Sequence, residues 1–303
     1  MLLIGENVHI ISKSVRTALE EHDENFVKNL AKIMQNCDAV DLNVGPAKGK
    51  LDNIFQWLIP IFQDISLSFD SSNIDAIKNG LRFVCHPEKS FINSTSADDE
   101  KLEILTDLAF EYNCNIIALA MSKQTGIPKN SDSRMELIFK MYEKSVEKAI
   151  DSSKLFFDPL ILPVNVDQVQ AFEVLNTIRM IKESFEPKVK TLVGLSNISN
   201  GLPVEIRPLV NRVYGVMLFG AGLDSAIIDA NDTELVRIFR MLECNNPQKD
   251  IDKLYLNISS MVQCFGNVED VVYDKSDKIQ ANIIKTLKIL MNREVFSNSY
   301  AEL

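Results

Sequence analysis

The sequence predicts an α/β protein of (β/α)8, or TIM-barrel, architecture, and two patterns carry that prediction. Eight short runs rich in apolar and β-branched residues recur along the chain, at residues 2–6, 39–44, 66–71, 90–95, 115–121, 155–160, 191–197 and 225–230. Between them lie longer stretches with apolar residues at helical spacing, such as Phe26, Leu30, Ile33 and Met34, or Leu102, Leu105, Leu108 and Ala109. Strands that are apolar at nearly every position and alternate with amphipathic helices are parallel strands covered by helices. An open, doubly wound sheet is the competing arrangement. However, the first strand-to-helix turn has no Gly-x-Gly-x-x-Gly loop, and the number of runs suits closure.

Local signals agree with this parsing. Asp98 and Asp99 precede the helix expected near Glu100, and Asn231, Asp232 and Thr233 precede the last barrel helix, all short polar side chains suited to N-caps. Gly220-Ala221-Gly222 comes before the eighth run, at the bottom of the barrel, and reads as a helix stop rather than a phosphate loop. The rhythm breaks after about residue 243. The expected organisation is a barrel over 1–243, an insertion over 244–278 and a C-terminal helical segment over 279–303 that packs on the barrel.

Composition narrows the partners. Of 303 residues 46% are hydrophobic and 24% charged, enough for a sizeable core, and the net charge of -10 repels phosphate backbones and anionic lipid, so no nucleic acid or membrane partner is expected. Neither a basic leader nor a long apolar span is visible, which predicts a cytoplasmic protein. Cys37, Cys85, Cys114, Cys244 and Cys264 form no Cys-x-x-Cys pair and are expected to be reduced and mostly buried. With only His9, His22 and His86 in the chain, no tightly bound metal is expected; His22 and His86 read as surface residues.

In such a barrel the reactive face lies at the carboxyl ends of the strands. There the runs present Glu6 with Asn7 and His9, Asp41 with Asn43, Asp70 with Asn73, Asn93 with Ser94, Ser122, Asp158, Asn197 with Ser196, and Asp229. No lysine ends a run, which argues against Schiff-base chemistry. Carboxylates accept hydrogen bonds from ring N–H and amino groups, and carboxamides both donate and accept, so the set suits a flat heterocycle with an amide-like edge, a pterin or a purine. Each residue taken singly has the plain reading of a turn former or helix cap. The case rests on their joint occurrence.

Several of these segments resemble one family. DLNVGP from Asp41, FDSSN from Phe69, INSTS from Ile92, TGIPKNSDSR from Thr125, DPLILP from Asp158, GLSNIS from Gly194 and RPLVNR from Arg207 are similar to the methyltetrahydrofolate:corrinoid protein methyltransferases. The matches run in order from near residue 3 to near residue 242 and resume around 286–299. The resemblance implies a pterin-binding, dihydropteroate synthase-like barrel. It implies tetrahydrofolate or methyltetrahydrofolate as substrate, a corrinoid supplied by a partner protein, and a homodimer. It places the pterin edge on Asp70, Asn93 and Asp158, with Asp41, Asp229, Ser122 and Glu6 nearby, and makes Asn197 the catalytic group at nitrogen 5. His9, Asn200 and Arg207 become candidates for proton or partner contacts. A proton or strong hydrogen bond at that nitrogen is needed as its bond to the methyl group breaks. No general acid of suitable pKa stands out, so the proton is expected to come through solvent.

The family's opening Gly-Glu-Arg-x-Asn reads Gly5-Glu6-Asn7-Val8-His9 here, a departure that alters the contacts of this turn. The insertion and this turn favour the direction from methylcorrinoid to tetrahydrofolate. Two alternatives stand beside this reading: a dihydropteroate synthase, for which Lys190 lies at the wrong end of its strand, and a non-catalytic pterin-binding subunit.

Overall fold

The computed structural model describes residues 1–297 and 299–300. Eight parallel strands close in sequence order, β1 Leu2–His9, β2 Ala39–Gly45, β3 Ser66–Ser71, β4 Phe91–Ser96, β5 Asn115–Leu119, β6 Leu155–Asp158, β7 Lys190–Gly194 and β8 Ser225–Ile228, with β8 pairing back onto β1. The expected (β/α)8 barrel is the fold. Around it lie α1 Lys13–Glu20, α2 Glu24–Ile33, α3 Ile54–Leu58, α4 Ile74–Phe83, α5 Asp99–Tyr112, α6 Ser131–Glu147, α7 Val169–Ser184, α8 Arg207–Gly220, α9 Thr233–Cys244, α10 Asp250–Gln263 and α11 Lys278–Leu290. Two boundaries shift. β1 runs on to His9, and the seventh run ends early, because residues Leu195–Ser199 coil into a 3-10 turn.

Two apolar layers hold the barrel. The larger fills the space between sheet and helices. The smaller plugs the interior, where Ile4, Ala39, Phe91, Ile117, Phe156 and Leu192 are buried with Leu2, Leu119 and Ile227 against them. Side chains alternate with period two along a strand. One step further toward the carboxyl end therefore places Glu6 above Ile4, Asp41 above Ala39, Asn93 above Phe91, Asp158 above Phe156 and Asp229 above Ile227, all on the inner face. These five polar residues thus form the floor of the barrel mouth.

The caps follow expectation in part. Asp232 accepts from Leu235 N at 3.0 Å and also binds Arg212, while Asn73 caps α4 by accepting from Asp75 N. Asp98 precedes α5 but does not cap it; its carboxylate takes Lys123 N and Ser96 Oγ, both at 2.8 Å, and so ties the β4 and β5 exits together. The cysteine expectation is corrected: Cys37 and Cys114 are buried, whereas Cys85, Cys244 and Cys264 are exposed. His22 and His86 are surface residues, the first edge-on to Trp57 and the second beside Glu88. No helix among the described residues is long and apolar enough to cross a membrane.

Beyond residue 243 the chain forms α10 and α11, both packed against α8. This explains why α8 is apolar nearly all round, with Val210, Val213, Tyr214, Gly215, Val216, Met217 and Leu218 buried: a helix covered on both sides needs no polar face. In the C-terminal segment the helix occupies Lys278–Leu290, and residues 298 and 301–303 lie outside the described residues. Gly220, the last residue of α8, lets the α10 backbone come close, since a Cβ there would stand 2.4 Å from Ser259 O. Gly220→Ala is expected to cost roughly 2 kcal/mol of stability through forced separation of the two helices, read as a lower urea midpoint with unchanged slope.

Candidate active site at the carboxyl end of the barrel

Adjacent strands build the first part of the mouth in register. Asn43, Asp70 and Asn93 stand side by side on β2, β3 and β4, with Asp41 and Ser68 one layer below. Asp41 Oδ1 accepts from Ser68 Oγ at 2.6 Å and from Asn93 Nδ2 at 2.9 Å, and Asn43 Nδ2 donates to Asp70. Asp41 and Asp70 are close enough for the charge of Asp41 to disfavour ionisation of Asp70. Burial raises Asp41 from its ordinary value. Burial and the Asp41 charge raise Asp70 well above its own, with Lys101 on α5 as an opposing charge. The pair titrates as a unit.

The second part lies across the β7–β8–β1 seam. Burial pushes Glu6 up to about 7, its bond from Ser196 Oγ pulling against that and the charges of Asp229 and Asp41 adding to it. Asp229 is held by Asn7 Nδ2 at 2.6 Å and Asn231 Nδ2 at 2.9 Å, and Asn7 Oδ1 accepts from Ala230 N at 2.9 Å. Asn7, the departure from the family pattern, therefore stitches the first strand to the exit of the last. These residues open onto a cavity of about 490 Å³ lined also by His9, Asn200, Arg207 and Asn211, with an apolar wall that includes Val15, Phe26 and Leu30.

Asp158 ends β6 on the inner face, where burial pushes it up to about 7 while Leu160 N, donating at 2.7 Å, and the Arg134 charge oppose the rise. Burial thus raises both Glu6 and Asp158 to about 7, a tuning that does not stand out in the motifs. Their values arise from surroundings that the motifs do not reveal.

The predicted residues thus fall into distinct places. Asp41 is bonded to Asn93, with Asp70 in register beside Asn93; Glu6 and Asp229 share the seam cavity with His9, Asn200 and Arg207; Asp158 ends β6. Arg207, first residue of α8, gives its Nε to Leu202 O at 2.8 Å. Asn197 sits in the 3-10 turn after β7, folded back over Gly194, where a Cβ would lie 3.0 Å from its Nδ2. Its Oδ1 accepts from the exposed Asn200 at 3.2 Å, and its Nδ2 has no hydrogen bond among the described residues. It does not line the seam cavity. Ser122 turns into its own loop, bonding Thr125 Oγ1 at 2.8 Å.

Sequence reading missed Ser68, Lys101 and Arg134. Period-two stepping back from Asp70 finds Ser68. Arg134 lies on the buried stripe of α6 with Ile138 and Met141, a placement visible in the helical spacing. Lys101 gives no such signal, since a lysine in a first helical turn reads as solvated. No group of His, Cys, Asp or Glu among the described residues is arranged to hold a metal ion.

The fold and site define the class as a (β/α)8 barrel with a buried, carboxylate-rich mouth. Its fold is that of the dihydropteroate synthases: the Yersinia pestis enzyme superposes with a TM-score of 0.56 at 16% identity, over 80% of this chain and 93% of that one. A Clostridium difficile dihydropteroate synthase, studied in the presence of pteroic acid, superposes with 0.54 at 16% identity, over 78% and 95%. At such identities the likeness concerns the fold alone. By sequence, the chain is similar to the methylcorrinoid:tetrahydrofolate methyltransferase of Eubacterium limosum, 26% identical over 242 residues that span 78% of this chain and 88% of that protein. It is also 28% identical over 177 residues to methionine synthase of Mycobacterium leprae, covering 55% of this chain but 14% of that much longer protein. No protein-family model matches the chain.

Proposed function

We propose that this protein is a methyltransferase that exchanges a methyl group between nitrogen 5 of tetrahydrofolate and the cobalt of a corrinoid bound to a partner protein, running from methylcorrinoid to tetrahydrofolate. The observation that carries this reading is the set of carboxylates and carboxamides on the inner face of the mouth, with Asp41, Asn93 and Asp158 buried and Asp70 half-buried in register with Asn93. A pterin edge is rich in N–H donors and matches it. The similarity to the Eubacterium limosum methyltransferase supports the same assignment.

In this reading Asp41, Asp70, Asn93 and Asp158 hold the pterin, with Asp229, Glu6 and Ser122 around it, and Asn197 reaches nitrogen 5. The methyl group leaves cobalt without the bonding electron pair, nitrogen 5 forms the new bond, and its proton departs. Glu6 is suited to take that proton: its carboxyl is pushed up to about 7 and it is bonded to Ser196, the neighbour of Asn197. Asn197 meets the changing charge on nitrogen 5 with one end of its carboxamide or the other. His9, Asn200 and Arg207, which line the same cavity as Glu6 and Asp229, serve as contacts for protons or the docked partner. The protein works in the cytoplasm as a homodimer, without a tightly bound metal of its own.

A dihydropteroate synthase is disfavoured by one observation. It needs a lysine where β7 and β8 end to receive a departing diphosphate, and Lys190 opens β7 and borders the cavity at the opposite end of the barrel. The deciding experiment mixes the purified protein with methylcorrinoid and tetrahydrofolate, and separately with reduced corrinoid and methyltetrahydrofolate, and follows the cobalt absorbance. Spectral change in either mixture is the expected result. Silence in both with folate bound would favour the non-catalytic reading.

A further inference from the structure

The amino ends of the strands surround a second cavity, of about 640 Å³, at the end of the barrel opposite the mouth. Its wall is reached two residues before the interior plug, on the same inner face: Ser225 precedes Ile227 in this way, Lys190 precedes Leu192 and Asn115 precedes Ile117. At the strand entries Lys154 stands two before Phe156 and Lys89 two before Phe91, and both border the same space. The period that lays a carboxylate floor above the plug thus lays a lysine-rich one below it.

Two observations at this end call for a ligand. Ser225 is 0% exposed, and its Oγ has no hydrogen-bond partner. A hydroxyl buried without a partner is unfavourable, and a bound group that accepts from it removes the cost. The second observation is unspent positive charge. The ammonium groups of Lys89 and Lys190 make no hydrogen bond or ion pair with any described residue, and Lys154 spends one donor on Glu88 O at 2.6 Å. The carboxylates that border the cavity are engaged elsewhere. Asp224 accepts from Lys182 Nζ at 3.0 and 2.8 Å and from Thr191 N at 2.8 Å. Glu243 takes the terminal amine and Arg240 Nη1, and Glu88 faces His86 Nδ1 at 3.2 Å. Lysine stems can shield an apolar plug from water, but that duty needs no hydroxyl buried without a partner.

We propose that this cavity is a phosphate-binding site, in which the ammonium groups of Lys89, Lys154 and Lys190 surround the anion and Ser225 Oγ donates to one of its oxygens. A tetrahedral dianion offers more acceptor oxygens than a carboxylate, in more directions, and lysine serves it as a point charge. Phe91 and Phe156, edge to face with centroids 5.2 Å apart, border the same space, so a phosphate ester with a flat apolar part suits it as well as free phosphate does. The site is independent of the methyl-transfer reading, being at the other end of the barrel.

Inorganic phosphate is titrated into the protein at constant ionic strength, set with chloride, and followed by calorimetry and by melting temperature. Saturable binding is expected, weakened about tenfold by Lys190→Gln and by Ser225→Ala. Phosphate also stabilises proteins by exclusion from their surfaces, so the measure of the site is the part of the rise in melting temperature that the variants lose. Lys89 is exposed, and Lys89→Gln gives the same reading should Lys190→Gln fail to fold. Absence of saturable binding, or equal binding by the parent and the variants, would overturn the proposal. A parallel titration with phenyl phosphate separates the sources: markedly tighter binding than that of inorganic phosphate identifies an aromatic ester as the ligand, and equal affinity identifies free phosphate.

Discussion

Asn197→Ala is expected to slow methyl transfer about 100-fold or more while tetrahydrofolate affinity changes only a few-fold. The expectation follows from where the residue sits. It lies in a tight turn after β7 and makes no hydrogen bond to Asp41, Asp70 or Asn93, so its loss leaves their bonds intact. Its Nδ2 has no hydrogen bond among the described residues, so no internal bond is broken on that side. Stopped-flow cobalt absorbance gives the rate, and titration calorimetry gives the affinity. Equal losses in both would mean that Asn197 binds the pterin without assisting the chemistry.

The second large effect concerns stability. Glu6 has its pKa raised from 4.5 to about 7, chiefly by burial, and its charged neighbours Asp229 and Asp41 are both acidic. A group raised in this way supports the folded state fully below its unfolded value, and that support is lost as pH rises through about 7. The folded protein then holds a buried carboxylate whose cost, allowing for its half-buried position, is on the order of 2 kcal/mol. Glu6→Gln keeps an acceptor for Ser196 and removes the charge. Its melting temperature should match the parent's near pH 4 and exceed it by roughly 4 °C at pH 8, measured by circular dichroism in the absence of ligand. Parallel curves across that range would show that folding leaves the Glu6 pKa unshifted.

Much of the barrel was legible because its inner and outer layers impose two different periods on one chain. Phe91 and Asn93, or Phe156 and Asp158, are two apart in sequence and one layer apart in the barrel, so the polar floor could be read from strand ends alone. Asp98 was misread because a short acid before a helix has the same sequence signature whether it caps that helix or bridges to Lys123 in the next loop. Pairings between strands distant in sequence, such as Asn7 with Asp229, are set by closure and leave no local trace. The tuned pKa values of Glu6 and Asp158 belong to the same category, since desolvation is produced by every surrounding element at once. Arg134 stood in plain view on an apolar stripe, but a charged residue there reads as an exception until its surroundings are known.

The join between β1 and β8 has a temporal consequence. The first strand of the barrel hydrogen-bonds the last, and Asn7 reaches Asp229 across that join, so one wall of the barrel mouth is made from the two sequence ends of the sheet. Contacts this distant along the chain form late, after the entropy of the whole intervening loop has been lost. The nascent chain therefore carries half of its polar floor, Asp41 with Asp70 and Asn93, long before Glu6 acquires the environment that tunes it. A ligand that requires both halves can be captured only by the closed ring, and its binding draws the equilibrium toward closure.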